Sequence, residues 1–186
     1  MKKRVFFFLV LCSVFALASL AHAHKPHEHG RANMNIAVDG AQVTILLESP
    51  LTDLLSFGHA PATPEQRAQA REMVIRMHQE ELFRLTPAAE CRLERVALAS
   101  ELLDADLLDP NIPFDPDKSI VHCSDATCGD LDGEFVFMCG RPENLNSVDV
   151  LFFSAWPKIK RIRVQAVTPS GQRSANLTPR RNQVTW

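Results

Sequence analysis

Asn33-Met34-Asn35-Ile36-Ala37-Val38-Asp39-Gly40-Ala41-Gln42-Val43-Thr44-Ile45-Leu46-Leu47 decides the fold class. Two β-type runs flank an Asp-Gly pair, a strong hairpin signal because both residue types tolerate a positive φ at the turn. Ile36, Val38, Val43 and Ile45 are β-branched and suit a pleated surface. The fold therefore begins with an antiparallel hairpin.

Downstream, Pro50 breaks the second strand. Leu51 to Pro61 is apolar and irregular, with room for one helical turn. Thr63-Pro64-Glu65-Gln66 opens the clearest helix: Thr63 caps, Pro64 suits the first turn, and Gln66 completes a capping-box pattern. Ala70, Met73, Val74 and Met77 form its apolar face at helical spacing. Leu82, Phe83 and Leu85 extend that face, and Pro87 stops it. His78 lies one turn after Val74 and reads as a partly buried packing histidine.

Cys91 to Leu103 reads as a strand with apolar positions at Leu93, Val96 and Leu98. Residues 104–131 hold Asp104, Asp106, Asp109, Pro110, Pro113, Asp115, Pro116 and Asp117, the composition of a long acidic surface loop. Further strands are expected at 134–139, 148–154, 161–168 and 174–177, with Pro169-Ser170-Gly171-Gln172 as a turn. The sum is an α+β domain: a mainly antiparallel sheet of about six or seven strands, one long helix and a long acidic Asp/Pro-rich loop.

Upstream of the hairpin, Met1-Lys2-Lys3-Arg4 is a basic start and Val5 to Leu20 an apolar stretch. Ala21-His22-Ala23 then offers a small-x-small cut site, so residues 1–23 read as a secretory signal. Cys12 does not suit lipid attachment, because bulky Leu11 precedes it. Cleavage leaves residues 24–186 as a single soluble periplasmic domain with no further membrane segment. The signal takes three of the 20 basic residues and none of the 22 acids, leaving a net charge of −5. That balance disfavours nucleic acid as a partner and suits cations.

Four cysteines remain after the signal: Cys91, Cys123, Cys128 and Cys139. An even number in an oxidising compartment favours two disulfides, and three pairings exist. Cys91–Cys139 would join two strand-like segments and Cys123–Cys128 would close a small loop. Thiolate ligation of zinc by Cys123 and Cys128 is the alternative.

The new N-terminus would be rich in imidazole, with His24, His27 and His29 inside residues 24–31. Neutral imidazole accepts Zn²⁺, Cu²⁺ and Ni²⁺. In an extended segment His27 and His29 point to the same side and can reach one ion, while Glu28 points away. His24 as residue one would chelate copper through its α-amine and ring; a cut after Ala21 would instead give His22-Ala23-His24, a copper or nickel motif. His59, in Phe57-Gly58-His59-Ala60-Pro61, is a further ligand candidate or a loop histidine bonded to backbone. His122 sits with Asp125 in the acidic loop, which reads as a solvated surface or a weak cation collector. Asp130-Leu131-Asp132-Gly133 lacks the flanking acids of a calcium loop. No G-x-S-x-G, H-E-x-x-H, phosphate loop or dinucleotide fingerprint occurs, so no enzyme is expected.

The order of short motifs is specific. An export signal is followed by His-Glu-His-Gly, a hairpin ending Leu-Glu-Ser-Pro, and Phe-Gly-His-Ala-Pro. A helix, Cys-Arg-Leu, an acidic insert, Glu-Phe-Val-Phe-Met-Cys and Arg-Ile-Arg-Val-Gln-Ala-Val-Thr-Pro-Ser-Gly-Gln complete the series. This arrangement resembles the ZrgA-like family of zinc-regulated periplasmic proteins over nearly all of the mature chain. The resemblance implies zinc binding in the periplasm and support for zinc uptake beside a zinc ABC transporter or its periplasmic binding protein. The family's His-x-His falls on His27 and His29, and its His-Ala-Pro on His59. Relatives carry a long histidine-rich insert where this chain has aspartates and only His122. The resemblance therefore implies a small site from His27, His29 and His59 rather than a high-capacity store. The competing expectation is an envelope protein that binds a protein partner through a sheet edge or its C-terminal strands, with incidental histidines.

Overall fold

A computed structural model describes residues 29–116, 118 and 129–186. In chain order the elements are β1 (Arg31–Asp39), β2 (Gln42–Pro50), α1 (Leu51–Leu54), α2 (Pro64–Met77), β3 (Phe83–Leu85), β4 (Cys91–Ala99) and α3 (Ala105–Leu108). They continue with β5 (Asp130–Cys139), β6 (Ser147–Val150), α4 (Phe152–Ala155), β7 (Arg161–Thr168), β8 (Gly171–Leu177) and β9 (Gln183–Thr185). The protein is a mixed α+β structure made mostly of strands.

The hairpin forms as the sequence requires. β1 and β2 pair antiparallel from Asn33↔Glu48 to Asp39↔Gln42. Gly40 turns the chain at φ +57°, a conformation that costs glycine nothing. Ala32, Met34 and Ile36 alternate inward on one strand, and Val43, Ile45 and Leu47 on the other. This hairpin is the centre of a six-stranded sheet of order β4-β5-β2-β1-β7-β8. Its neighbours are antiparallel except for the parallel β1/β7 pair. A second sheet, β3-β6-β9, is antiparallel throughout. Both sheets and α2 contribute to one hydrophobic core, in which Phe83 lies 4.9 Å from Phe135 and Phe152 lies 4.3 Å from Trp156, ring to ring.

Several sequence expectations need correction, the first being the strand over 91–103, which stops at Ala99 before a turn. The described strands number nine in two sheets, rather than six or seven in one. The helix does not run on through Leu85: it ends at Met77, a 3₁₀ turn covers Glu80–Leu82, and Phe83–Leu85 becomes β3. Phe83 and Leu85 are buried either side of exposed Arg84, so period two fits them, and pairing with β6 decides the matter. The expected strand over 148–154 stops at Val150, because adjacent Phe152 and Phe153 are both buried and need a helical turn.

β4 carries a bulge between Leu93 and Arg95, where the register against β5 shifts. The three-residue step from Leu93 to Val96 is its sequence signature: Glu94 and Arg95 both stay outside. The disulfide Cys91–Cys139 joins directly opposed residues of β4 and β5. Cys123 and Cys128 lie outside the described residues. None of the described helices is long and apolar enough to cross a membrane.

Candidate metal centre

Pro50 ends β2 and the chain turns at once into the four residues of α1. Leu51 and Leu54 are buried, and the Leu51 N–H donates to Gly129 O at 2.5 Å. Asp53 is buried at 6% exposure, and its Oδ2 accepts the Gly30 N–H at 2.6 Å. The Gly30 carbonyl in turn accepts the amides of Lys160 (2.8 Å) and Arg161 (3.1 Å). The chain is thereby pinned where it enters β1, and His29 is set against α1.

Thr52 sits at the centre of this corner. Its Oγ1 lies 3.3 Å from His29 Nδ1. Its methyl faces Gly58 so closely that a Cβ there would lie 2.2 Å from it; only glycine lets Phe57-Gly58-His59 pass. His29 and Gly58-His59 therefore flank the same threonine. The His59 ring leans on Phe57 at 5.2 Å, and its Nδ1 lies 2.8 Å from Ala60 O. A carbonyl only accepts, so Nδ1 carries the proton and Nε2 keeps the lone pair of the neutral ring. His59 is exposed. This local backbone bond is compatible with ligation, since ligating imidazoles commonly donate their other N–H to a carbonyl.

His29, Thr52 and Asp53 line an open depression of about 650 Å³ together with Gly30, Pro157, Lys158 and Lys160. Lys158 Nζ donates to Thr52 O (3.2 Å) and Leu55 O (2.7 Å), and Lys160 Nζ to Pro157 O.

The remaining histidines divide cleanly. His78 is half-buried and its Nδ1 bonds to Val74 O at 2.9 Å, the packing role expected of it. His24, His27 and His122 lie outside the described residues. No group of three His, Cys, Asp or Glu side chains able to hold a metal ion occurs among the described residues. His29 and His59 lie on the two segments that border Thr52, and a zinc ion there would need further donors beyond these imidazoles.

The acidic stretch is built differently from a loop free in solvent. Residues 105–108 form α3, with Leu107 buried, and Asp130-Leu131-Asp132-Gly133 is the start of β5 opposite β2. Between them, two arginines one turn apart on α2 hold the chain. Arg67, 1% exposed, reaches Asp106 Oδ2 (2.6 Å), Asp104 Oδ2 (3.5 Å) and Asp115 O (2.9 Å). Arg71 donates to the carbonyls of Asp106, Asp109, Pro110 and Ile112. The Phe114 ring centre lies 5.8 and 5.9 Å from the two guanidinium carbons. Lys118 Nζ adds an ion pair to Asp106 at 2.7 Å. Burial pushes the Asp106 carboxyl up, but the Lys118 hydrogen bond and the Arg67 and Lys118 charges outweigh it and hold the carboxyl below its usual range. Asp104 and Asp106 are thus committed to protein cations. Arg67 falls on the same helical stripe as Ala70, Val74 and Met77, which is the sequence signal for its burial.

Residues 26–186 match the family described as ZrgA family zinc uptake protein. No curated protein matches the chain.

Proposed function

Because the chain belongs to the ZrgA family of zinc uptake proteins, we propose that it is an exported periplasmic protein that binds zinc, and either buffers it or hands it to a zinc ABC uptake system. The observation that carries this reading is the pair of imidazoles around Thr52: His29 within 3.3 Å of its hydroxyl, and exposed His59 with Nε2 unprotonated in the neutral ring. The family resemblance adds His27, two positions before His29 in the sequence, as a further candidate ligand. Zinc is cargo here, and no catalysis is required. The ligands act as neutral rings, so protons compete with the metal and affinity falls in acid.

The basic start, the apolar stretch and the Ala21-His22-Ala23 cut site support export. A native mass spectrum of the protein purified from periplasm, with metal analysis on the same sample, tests the reading. One or more zinc ions on a chain starting at His24 is the expected result. A metal-free chain that also ignores added zinc overturns it and returns the case to a protein-binding envelope module.

A further inference from the structure

We propose that the open face of the six-stranded sheet docks a second copy of this chain, the two copies related by a two-fold axis running along the strands between β1 and β2. Alternate residues of the sheet point away from the core, and across β7, β1, β2 and β5 the registers place them in three rows. Arg163, Asn33, Glu48 and Asp132 form the first row, and Gln165, Asn35, Leu46 and Glu134 the second. Val167, Ala37, Thr44 and Val136 form the third. The outward residues of β1 and β7 are exposed along these rows, so no described element covers them. Leu46, Met138 and Val167, three of the five large apolar side chains exposed among the described residues, lie on this face.

The face is bipolar, and its two halves match. Arg163 on β7 has no ion pair among the described residues, and neither has Glu48 or Asp132 on the other half. A two-fold axis between β1 and β2 lays β7 of each copy over β5 of the other and keeps every row in place. Arg163 then meets Asp132 of the second copy, Gln165 meets Glu134, and Val167, 56% exposed, meets Val136. Ala97 and Ala99 of β4 help to line an open trough of about 420 Å³ on the acidic half. The same axis brings the second copy's Ser174 and Asn176, which lie in register with Gln165 and Arg163, over those two alanines. Aligned sheets pack about 10 Å apart with their strands within about 30°. Six strands by three rows give a footprint on the order of 500 Å² per copy. That is below the ~800 Å² of a standard interface, so the dimer is weak and reversible.

The docking needs no zinc. Sedimentation equilibrium of the full mature chain with chelator present, from micromolar to millimolar concentration, tests it, and circular dichroism confirms that each variant is folded. Wild type passes from monomer to dimer over this range. Arg163→Glu alone and Asp132→Lys alone each set like charges against one another at both symmetric contacts and weaken dimerisation more than about tenfold. An equimolar mixture of the two variants restores dimers: one contact then pairs the two substituted side chains, which have opposite charge, and the other keeps the natural pair. At about 1 M ionic strength, where the Debye length is ~3 Å, the gap between wild type and the single variants narrows. A wild-type chain that stays monomeric throughout overturns the proposal and leaves the face to a different partner. A dimer that survives both substitutions, or folded single variants that do not recover on mixing, overturns it as well.

Discussion

Around Arg67, Asp104 and Asp106 are answered by Arg67 and Lys118. Around Thr52, His29 and His59 are both exposed, and the depression beside His29 is lined by Asp53, Lys158 and Lys160. In the first region, charge is spent on holding one piece of the chain against another. In the second, the imidazoles stay exposed and carry no ion pair among the described residues. The acidic stretch has the composition of a cation collector, yet its best-placed carboxylates are already taken. Availability of a donor is set by what packs against it and not by its abundance in the sequence.

The comparison breaks most visibly at Arg67. Arg67→Met leaves the buried Asp106 carboxylate with Lys118 alone, and the loss stays below the roughly 3–5 kcal/mol of a buried charge left without any partner. Urea unfolding measures that loss. Zinc stoichiometry of the folded variant stays at the wild-type value; a fall would mean that the clasp and the metal site are one system.

Asp106→Asn is expected to cost about 1.5–3 kcal/mol at neutral pH, the range for a hydrogen bond to a charged group. Its pH dependence is more telling. The folded carboxyl titrates below its unfolded value, so its stabilisation is present above that value and is lost as pH falls through the folded one. Stability measured from neutrality into acid should therefore drop less steeply in Asp106→Asn than in wild type. Equal slopes would show that Lys118 and Arg67 do not govern this carboxyl.

Asp132 gives the smallest effect and the opposite sign. It stands directly across from Glu48, and burial, then the Glu48 charge, push its carboxyl up. The fold thus favours the protonated form: that stabilisation is full below the unfolded value and lost as pH rises through the folded one. At neutral pH the ionised pair opposes folding, and Asp132→Asn should stabilise by up to about 1 kcal/mol. The gain should vanish in acid. A destabilised variant at neutral pH would mean that the carboxylate is answered by a partner, as Asp106 is.

Much of this was legible from residues alone. The hairpin followed from Asp39-Gly40 between β-branched runs, the start of α2 from Thr63 and Pro64, and Cys91–Cys139 was the preferred pairing between strand-like segments. The hidden parts depend on contacts far apart in sequence. Leu82, Phe83 and Leu85 continue the apolar content of α2, and only the arrival of β6 turns them into a 3₁₀ turn and a strand. The role of Arg67 was readable as a position on the α2 stripe, but its aspartate partners lie 37 and 39 residues away. His29 and His59 were named as candidates from the sequence. That both flank Thr52 could not be, because it takes the buried Asp53–Gly30 bond and the close passage of Gly58 to bring the segments together.

The most direct test is zinc titration calorimetry at pH 7 on three proteins: wild type, His29→Ala/His59→Ala, and Asp104→Asn/Asp109→Asn. The account predicts that the histidine double variant loses stoichiometric zinc binding while the aspartate double variant keeps it. Retention by the histidine variant, with loss in the aspartate variant, would contradict the account and move the metal to the acidic stretch.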